Sequence, residues 1–275
     1  MTIALGTFFA MFPVVLAVVG LRPVTDRELV RFSVRYYLLD EAITPTLARA
    51  IARARGFRLL GAALGFSLPP LVRGLSGDSV DVGSALFWGA AGYLGGALVA
   101  TLIPTTRANG DVRAATLVPR RTSDYLPRRT IVAPGVALCL TLVAAVAYQI
   151  TPRWPYRPQG AGPVIGAVVL SVIASVVTSV GTRLVVRRRQ PVPDTQTVAA
   201  DDALRSHGLH LVVGTGIAVS ALAAGLLTLQ VAFVTSSPVL HWICVCAGLA
   251  EVGFAGFAWG HLRKDPWRVR SRVRS

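Results

Sequence analysis

Residues 209–234 read LHLVVGTGIAVSALAAGLLTLQVAFV, without a single Asp, Glu, Lys or Arg. A helix needs roughly 20 apolar residues to cross the hydrocarbon core of a bilayer, so this stretch is a membrane span by length and composition together. Six further apolar runs flank it: Ile3–Leu21, Phe57–Val72, Ala85–Ile103, Ile131–Ile150, Pro163–Val186 and Val239–His261. The 275-residue chain is 53% hydrophobic and 15% charged, with a mean hydropathy of +0.59. Soluble domains carry about 25% charged residues, which excludes a soluble core. Seven spans with short connections use up the length and leave no room for a separate catalytic domain. The expected fold is therefore all-α: one transmembrane domain over residues 1–262, then a basic tail over 263–275.

The second run is short, begins beside Arg58 and holds Pro69-Pro70. Proline is tolerated in a span where neighbouring groups satisfy the freed carbonyls. Charge decides in its favour. Residues 22–58 hold eight arginines, 105–130 six, 187–208 four, and the stretch after His261 six basic residues. The alternate connections are acidic or sparsely charged: Asp78 and Asp81 in 74–82, Arg153 and Arg157 in 151–162, and the short Thr235–Pro238. Seven spans with the N-terminus outside place all four basic segments in the cytoplasm. Dropping the second run exports the first of them. Basic residues collect on the cytoplasmic side, so the rule selects seven spans, an outside N-terminus, a cytoplasmic C-terminus and residence in the plasma (inner) membrane. The first run lacks a basic leader and a small-residue cleavage site, and reads as a retained span rather than a signal peptide.

The net charge of +15 is not that of a nucleic-acid binder, because it sits in blocks between apolar runs rather than along one soluble face. Of the 28 basic residues only Lys264 is lysine, which with abundant Ala, Val and Gly suggests a GC-rich bacterial genome. Cys139, Cys244 and Cys246 all fall inside apolar runs. Cys244 and Cys246 are two residues apart and point to different helix faces, so neither a disulfide nor a metal framework is expected.

The first basic segment has its own structure. Thr25-Asp26-Arg27-Glu28 matches a capping box. Leu29, Phe32, Tyr36, Leu39 and Ile43 then recur at helical spacing, with Arg27, Arg31 and Arg35 beside them. That pattern suits a helix in the cytoplasmic interface with its arginines on lipid headgroups; the rival is a docking helix for a cytosolic partner. Thr44-Pro45 reads as the start of a helix running through Arg49, Arg53 and Phe57 into the second span. The tail residues Lys264, Arg268, Arg270, Arg272 and Arg274 are expected on anionic lipid, each contributing about 1 kcal/mol near the surface, or on an acidic partner. The loop LVPRRTSDYLP, Leu117–Pro127, resembles a stretch of uncharacterised actinobacterial multi-pass membrane proteins. The resemblance implies a multi-pass layout and no activity, substrate or catalytic residue.

Glu251 is the most informative position. It lies near the middle of Val239–His261, where a charged side chain costs from about 2.5 kcal/mol upwards on insertion scales. A proton-coupling carboxylate, a cation ligand and a neutral glutamic acid bonded to a neighbouring helix all fit. His207 and His210, spaced i, i+3 after Asp201 and Asp202, are weaker candidates for a metal or a headgroup, and the acidic pair also suits a helix N-terminus. Small-residue spacings at Gly61/Gly65, Gly92/Gly96, Gly162/Gly166 and Gly256/Gly260 let helices approach closely and allow a homo-oligomer. Trp154, Tyr156, Trp242, Trp259 and Trp267 fall near span ends, as interfacial aromatics do. Walker, HExxH, GxSxG and kinase motifs are all absent from the sequence, which points away from ATP hydrolysis and zinc proteolysis; no cofactor is indicated. Three functions are open: a permease-like protein or membrane subunit of a transport complex, a regulatory protein docking cytosolic partners, and a lipid-acting enzyme using His207, His210, Asp201 and Asp202.

Overall fold

The computed structural model describes residues 11, 13–16, 18–36, 38, 44–75, 82–103, 121–151, 162–188 and 195–262. Seven helices order the described chain: α1 (Asp26–Tyr36), α2 (Thr44–Leu75), α3 (Val82–Leu102), α4 (Arg128–Ile150), α5 (Gly162–Arg187), α6 (Thr195–Val234) and α7 (Pro238–Leu262), with a 3-10 turn at Thr122–Asp124. Residues 13–16 and 18–21 are also helical. The all-α expectation holds, and the described residues contain no β-strand.

Four helical segments are long and apolar enough to cross a membrane: Arg128–Ile150, Val164–Arg187, Val198–Val234 and Pro238–Leu262. Trp88–Leu102 is a shorter apolar helix. The chain thus has the helices of a membrane protein. Residues 3–10 of the first run, the acidic connection with Asp78 and Asp81, residues 104–120, the 152–161 connection with Trp154 and Tyr156, Pro191, Pro193 and the tail after 262 with Trp267 lie outside the described residues.

The described chain forms two compact units, one from Met1–Pro127 and Val180–Val212, the other from Arg128–Ser179 and Val213–Lys264. In the first, α1 starts as its sequence requires. The Thr25 backbone N–H donates to Glu28 Oε2 at 3.1 Å, and the Glu28 N–H donates to Thr25 Oγ1 at 3.4 Å. The stripe Leu29, Phe32 and Tyr36 is buried, but against Leu47 of α2 and Ala203 of α6. Helix α1 thus spends its apolar face on the protein's own core, leaving Arg27 and Arg31 exposed and Arg35 half-buried. Leu39 and Ile43 lie outside the described residues. Helix α2 runs unbroken from Thr44 to Leu75 through Pro69 and Pro70, so the second apolar run is the far half of a longer helix.

Helices α2 and α3 pack antiparallel along small residues. A Cβ at Gly61 would lie 2.2 Å from Gly92 O, one at Gly65 2.1 Å from Trp88 O, and one at Gly96 2.1 Å from Phe57 O. Positions 57, 61 and 65 therefore face 96, 92 and 88, one turn per step, with backbone against backbone. Glycine is required there by contact, not by conformation. The other two expected pairs do not behave this way: Gly166, Gly256 and Gly260 have nothing within 4 Å of an added Cβ.

In the second unit a polar knot joins three helices. Thr141 of α4 lies 3.0 Å from Ser171 Oγ of α5 and 3.0 Å from Ser220 O of α6, with all three residues fully buried. Such bonds hold membrane helices together without help from water. Of the four long apolar helices, α6 has the most buried apolar window, about 67%, and α7 the least, about 17%. Trp242 is exposed near the start of α7 and Trp259 is half-buried near its end.

Candidate functional site

Two polar clusters stand out against this apolar background, one in each unit. In the second, Glu251 sits one residue past the midpoint of Pro238–Leu262. Its Oε2 lies 2.9 Å from Thr228 Oγ1 on α6. The same hydroxyl lies 3.0 Å from Ala224 O, one turn back along its own helix. A hydroxyl has one proton to donate and two lone pairs to accept with, so Thr228 can give its proton to only one of these oxygens at a time. Close approach of the two helices fixes the pair. A Cβ at Gly225 would lie 2.9 Å from Gly248 O, and one at Gly248 2.7 Å from Leu229 Cγ. Where α6 turns into α7, Ser237 Oγ accepts the Leu240 N–H at 3.4 Å and His241 Nδ1 pairs with Ala232 O at 2.8 Å, which ties that ring to the end of α6.

The first unit holds the other cluster, around Asp201. Arg205 Nη2 donates to Asp201 Oδ2 at 2.7 Å, and Arg188 Nη2 donates to Asp201 Oδ1 at 2.5 Å. Arg205 Nη1 donates to the carbonyls of Val185, Val186 and Arg188 at 3.0, 3.2 and 2.9 Å. These acceptors belong to the end of α5, where the last carbonyls of a helix lack their usual intrahelical partners. Arg188 Nη1 does the same for Thr101 O at the end of α3, at 2.9 Å. One buried carboxylate therefore orients two guanidinium groups, and each closes a helix end. Asp202 accepts the Tyr125 hydroxyl at 3.0 Å, which anchors the tyrosine of the LVPRRTSDYLP loop.

The sequence candidates are thus placed, though not as a metal site. Asp201 and Asp202 do not lie in a first helical turn, since α6 begins at Thr195 and its first turn holds no acidic residue; their partners are Arg188, Arg205 and Tyr125. His210 Nδ1 pairs with Ser206 O at 2.8 Å. The His207 ring stands edge-on to Phe32 and Tyr36, with centroids 5.5 and 6.3 Å away. Among the described residues no three His, Cys, Asp or Glu side chains gather to hold a metal. Sequence reasoning missed Arg205, counted only as one more cytoplasmic arginine; the signal was its i, i+4 spacing from Asp201 within a helix. Lys264, Arg268, Arg270, Arg272 and Arg274 lie outside the described residues.

Comparison with protein-family models, with curated proteins and with solved structures returns no match.

Proposed function

We propose that the chain is a seven-span plasma-membrane protein, N-terminus outside and C-terminus cytoplasmic, acting as a permease-like protein or membrane subunit of a transport complex whose coupling group is Glu251. The observation that carries this reading is the Glu251–Thr228 pair. An ionisable residue at mid-span is costly and marks a pathway more often than a scaffold. Thr228 can serve both protonation states of its partner. Toward a carboxylate it donates; toward a carboxylic acid it accepts, and its own proton turns to Ala224 O. A proton can therefore arrive and leave while the Glu251–Thr228 hydrogen bond is kept in both states, with the bond to Ala224 O made only in the protonated one.

The test is proton movement by the full chain in liposomes loaded with a pH-sensitive dye, driven by an imposed membrane potential. Proton uptake above that of protein-free liposomes is expected. Glu251→Gln, which keeps the shape and removes the titratable group, abolishes it. Thr228→Ser preserves it and Thr228→Val slows it. Wild-type uptake equal to the protein-free baseline, or undiminished uptake in a folded Glu251→Gln protein, overturns the reading.

A further inference from the structure

Within the first unit a cavity of about 50 Å³ opens between α2, α3, the end of α5 and α6. At roughly 10–15 Å³ for each water centre it has room for about four waters, or for one tetrahedral oxyanion. Its polar wall is almost wholly cationic or hydrogen-bond donating: Arg58, Arg188, Arg205, His207 and Thr101. The rest is alanine, glycine, leucine and isoleucine. Arg58 and Arg205 are buried, with 8% and 2% of their surface exposed. Asp201 is the carboxylate that meets this group, and its two oxygens are divided between Arg188 and Arg205. Both Nη groups of Arg205 are engaged by Asp201 and three carbonyls, yet its Nε–H finds no hydrogen-bond partner among the described residues.

We propose that this cavity binds a phosphate-type oxyanion. Guanidinium groups on an apolar wall are the side chains best matched to phosphate, offering planar, paired donors with weak hydration. Low surrounding polarity strengthens each such bond and raises the cost of leaving a donor unmet. A cation would meet three guanidinium groups and one carboxylate already bound to two of them, whereas an oxyanion brings acceptors to a wall rich in donors. The level of the cavity along α6 supports the same chemistry. Leu204, Arg205, His207, Gly208 and Leu211 line it, where α6 passes from Asp201, Asp202 and Arg205 into the uncharged run 209–234. In the seven-span topology proposed above, on which this point rests, that transition falls at the depth of lipid phosphates. The oxyanion is either the phosphate of an anionic headgroup or a free cytosolic phosphate, and the same donors would hold both.

The experiment uses the full chain, purified in detergent and stripped of lipid. One arm measures binding of labelled inorganic phosphate, with chloride at equal ionic strength as control. The other measures retention of phosphatidylglycerol against phosphatidylcholine by native mass spectrometry. Two variants act by different routes: Arg58→Gln removes a donor while sparing the helix-capping arginines, and Ala54→Leu fills the space without changing charge. The expected result is saturable wild-type binding, with matching thermal stabilisation, weakened about tenfold or more by each variant. Selective phosphatidylglycerol retention without phosphate binding assigns a headgroup site, and phosphate binding that phosphatidylglycerol does not displace assigns a free-phosphate site. Binding of neither probe by the wild type overturns the proposal. So does unchanged affinity in either variant, and Ala54→Leu decides the matter should Arg58→Gln fail to fold.

Discussion

Arg205 grips Asp201 from one helical turn away, 2.7 Å between guanidinium and carboxylate, with 0% and 3% of the two side chains exposed. The pair does not merely neutralise charge. Asp201 aims a guanidinium that lies across the end of α5 and reaches three of its last carbonyls, one of which, Val185 O, also accepts the Arg188 N–H at 3.3 Å.

Removing one partner should therefore damage more than one contact. Breaking a buried ion pair from one side costs about 3–5 kcal/mol, because the survivor stays buried and uncompensated. Asp201→Asn and Arg205→Met are each expected to lower the unfolding temperature of the detergent-solubilised protein sharply. The double variant should lose less than the sum of the singles, since both disrupt one network. Additive losses in thermal unfolding would show that the two side chains act independently.

The glycine seam between α2 and α3 makes a prediction that discriminates by position. Gly61→Ala and Gly92→Ala each push a methyl to within about 2.2 Å of a backbone oxygen, and overpacking of this kind costs about 1–3 kcal/mol or more. Gly256→Ala and Gly260→Ala enter open space and should be neutral or slightly stabilising, by up to about 1 kcal/mol. Thermal stability of the four single variants, measured side by side, checks the contrast. Equal behaviour would mean that glycine spacing on this chain carries no packing information.

Both glycine pairs look the same in sequence, and that is where legibility stops. Spacing identifies a face on which backbones can meet, but what lies opposite it is a property of the fold. The capping box at Thr25 and Glu28 was readable because all its atoms sit within four residues. The apolar stripe of α1 was readable too; its burial on Leu47 and Ala203 was not, because a stripe is equally apolar toward lipid and toward protein. Glu251 announced itself by depth in an uncharged run, while Thr228, 23 residues away, had no signal of its own. Arg205 was hidden for the opposite reason: arginine is so abundant in the segments between the apolar runs that one buried copy does not stand apart.

Acid should loosen α1. The Thr25 backbone N–H holds the Glu28 carboxyl below the usual glutamate range; partial burial opposes this, and the nearby Arg55 assists it. A carboxyl whose folded value is depressed contributes stability that is fully present above its unfolded value, about 4.3, and is lost as pH falls through the lower folded value. The Glu28 side chain is nearly half exposed, so the effect is modest. The unfolding temperature of wild type should exceed that of Glu28→Gln at pH 6, with the gap closing toward pH 3. Thr25→Ala, which removes the cap itself, should cost about 0.5–2 kcal/mol at neutral pH. A gap between wild type and Glu28→Gln that stays constant down to pH 3 would rule out the charged capping box as its source.

The proposed seven-span topology can be read from two single cysteines in a background with Cys139, Cys244 and Cys246 replaced by alanine. Ser236, exposed in the short connection between α6 and α7, belongs on the outer side; Arg31, exposed on α1, belongs in the cytoplasm. A membrane-impermeant maleimide on intact cells should label Ser236→Cys, and should reach Arg31→Cys only after permeabilisation. The positions are linked by physics as well as by counting. Residues 22–58 carry eight arginines, and exporting them opposes the bias that keeps basic segments in the cytoplasm. Labelling of both Ser236→Cys and Arg31→Cys in intact cells would therefore remove one crossing between the two positions and overturn the seven-span topology.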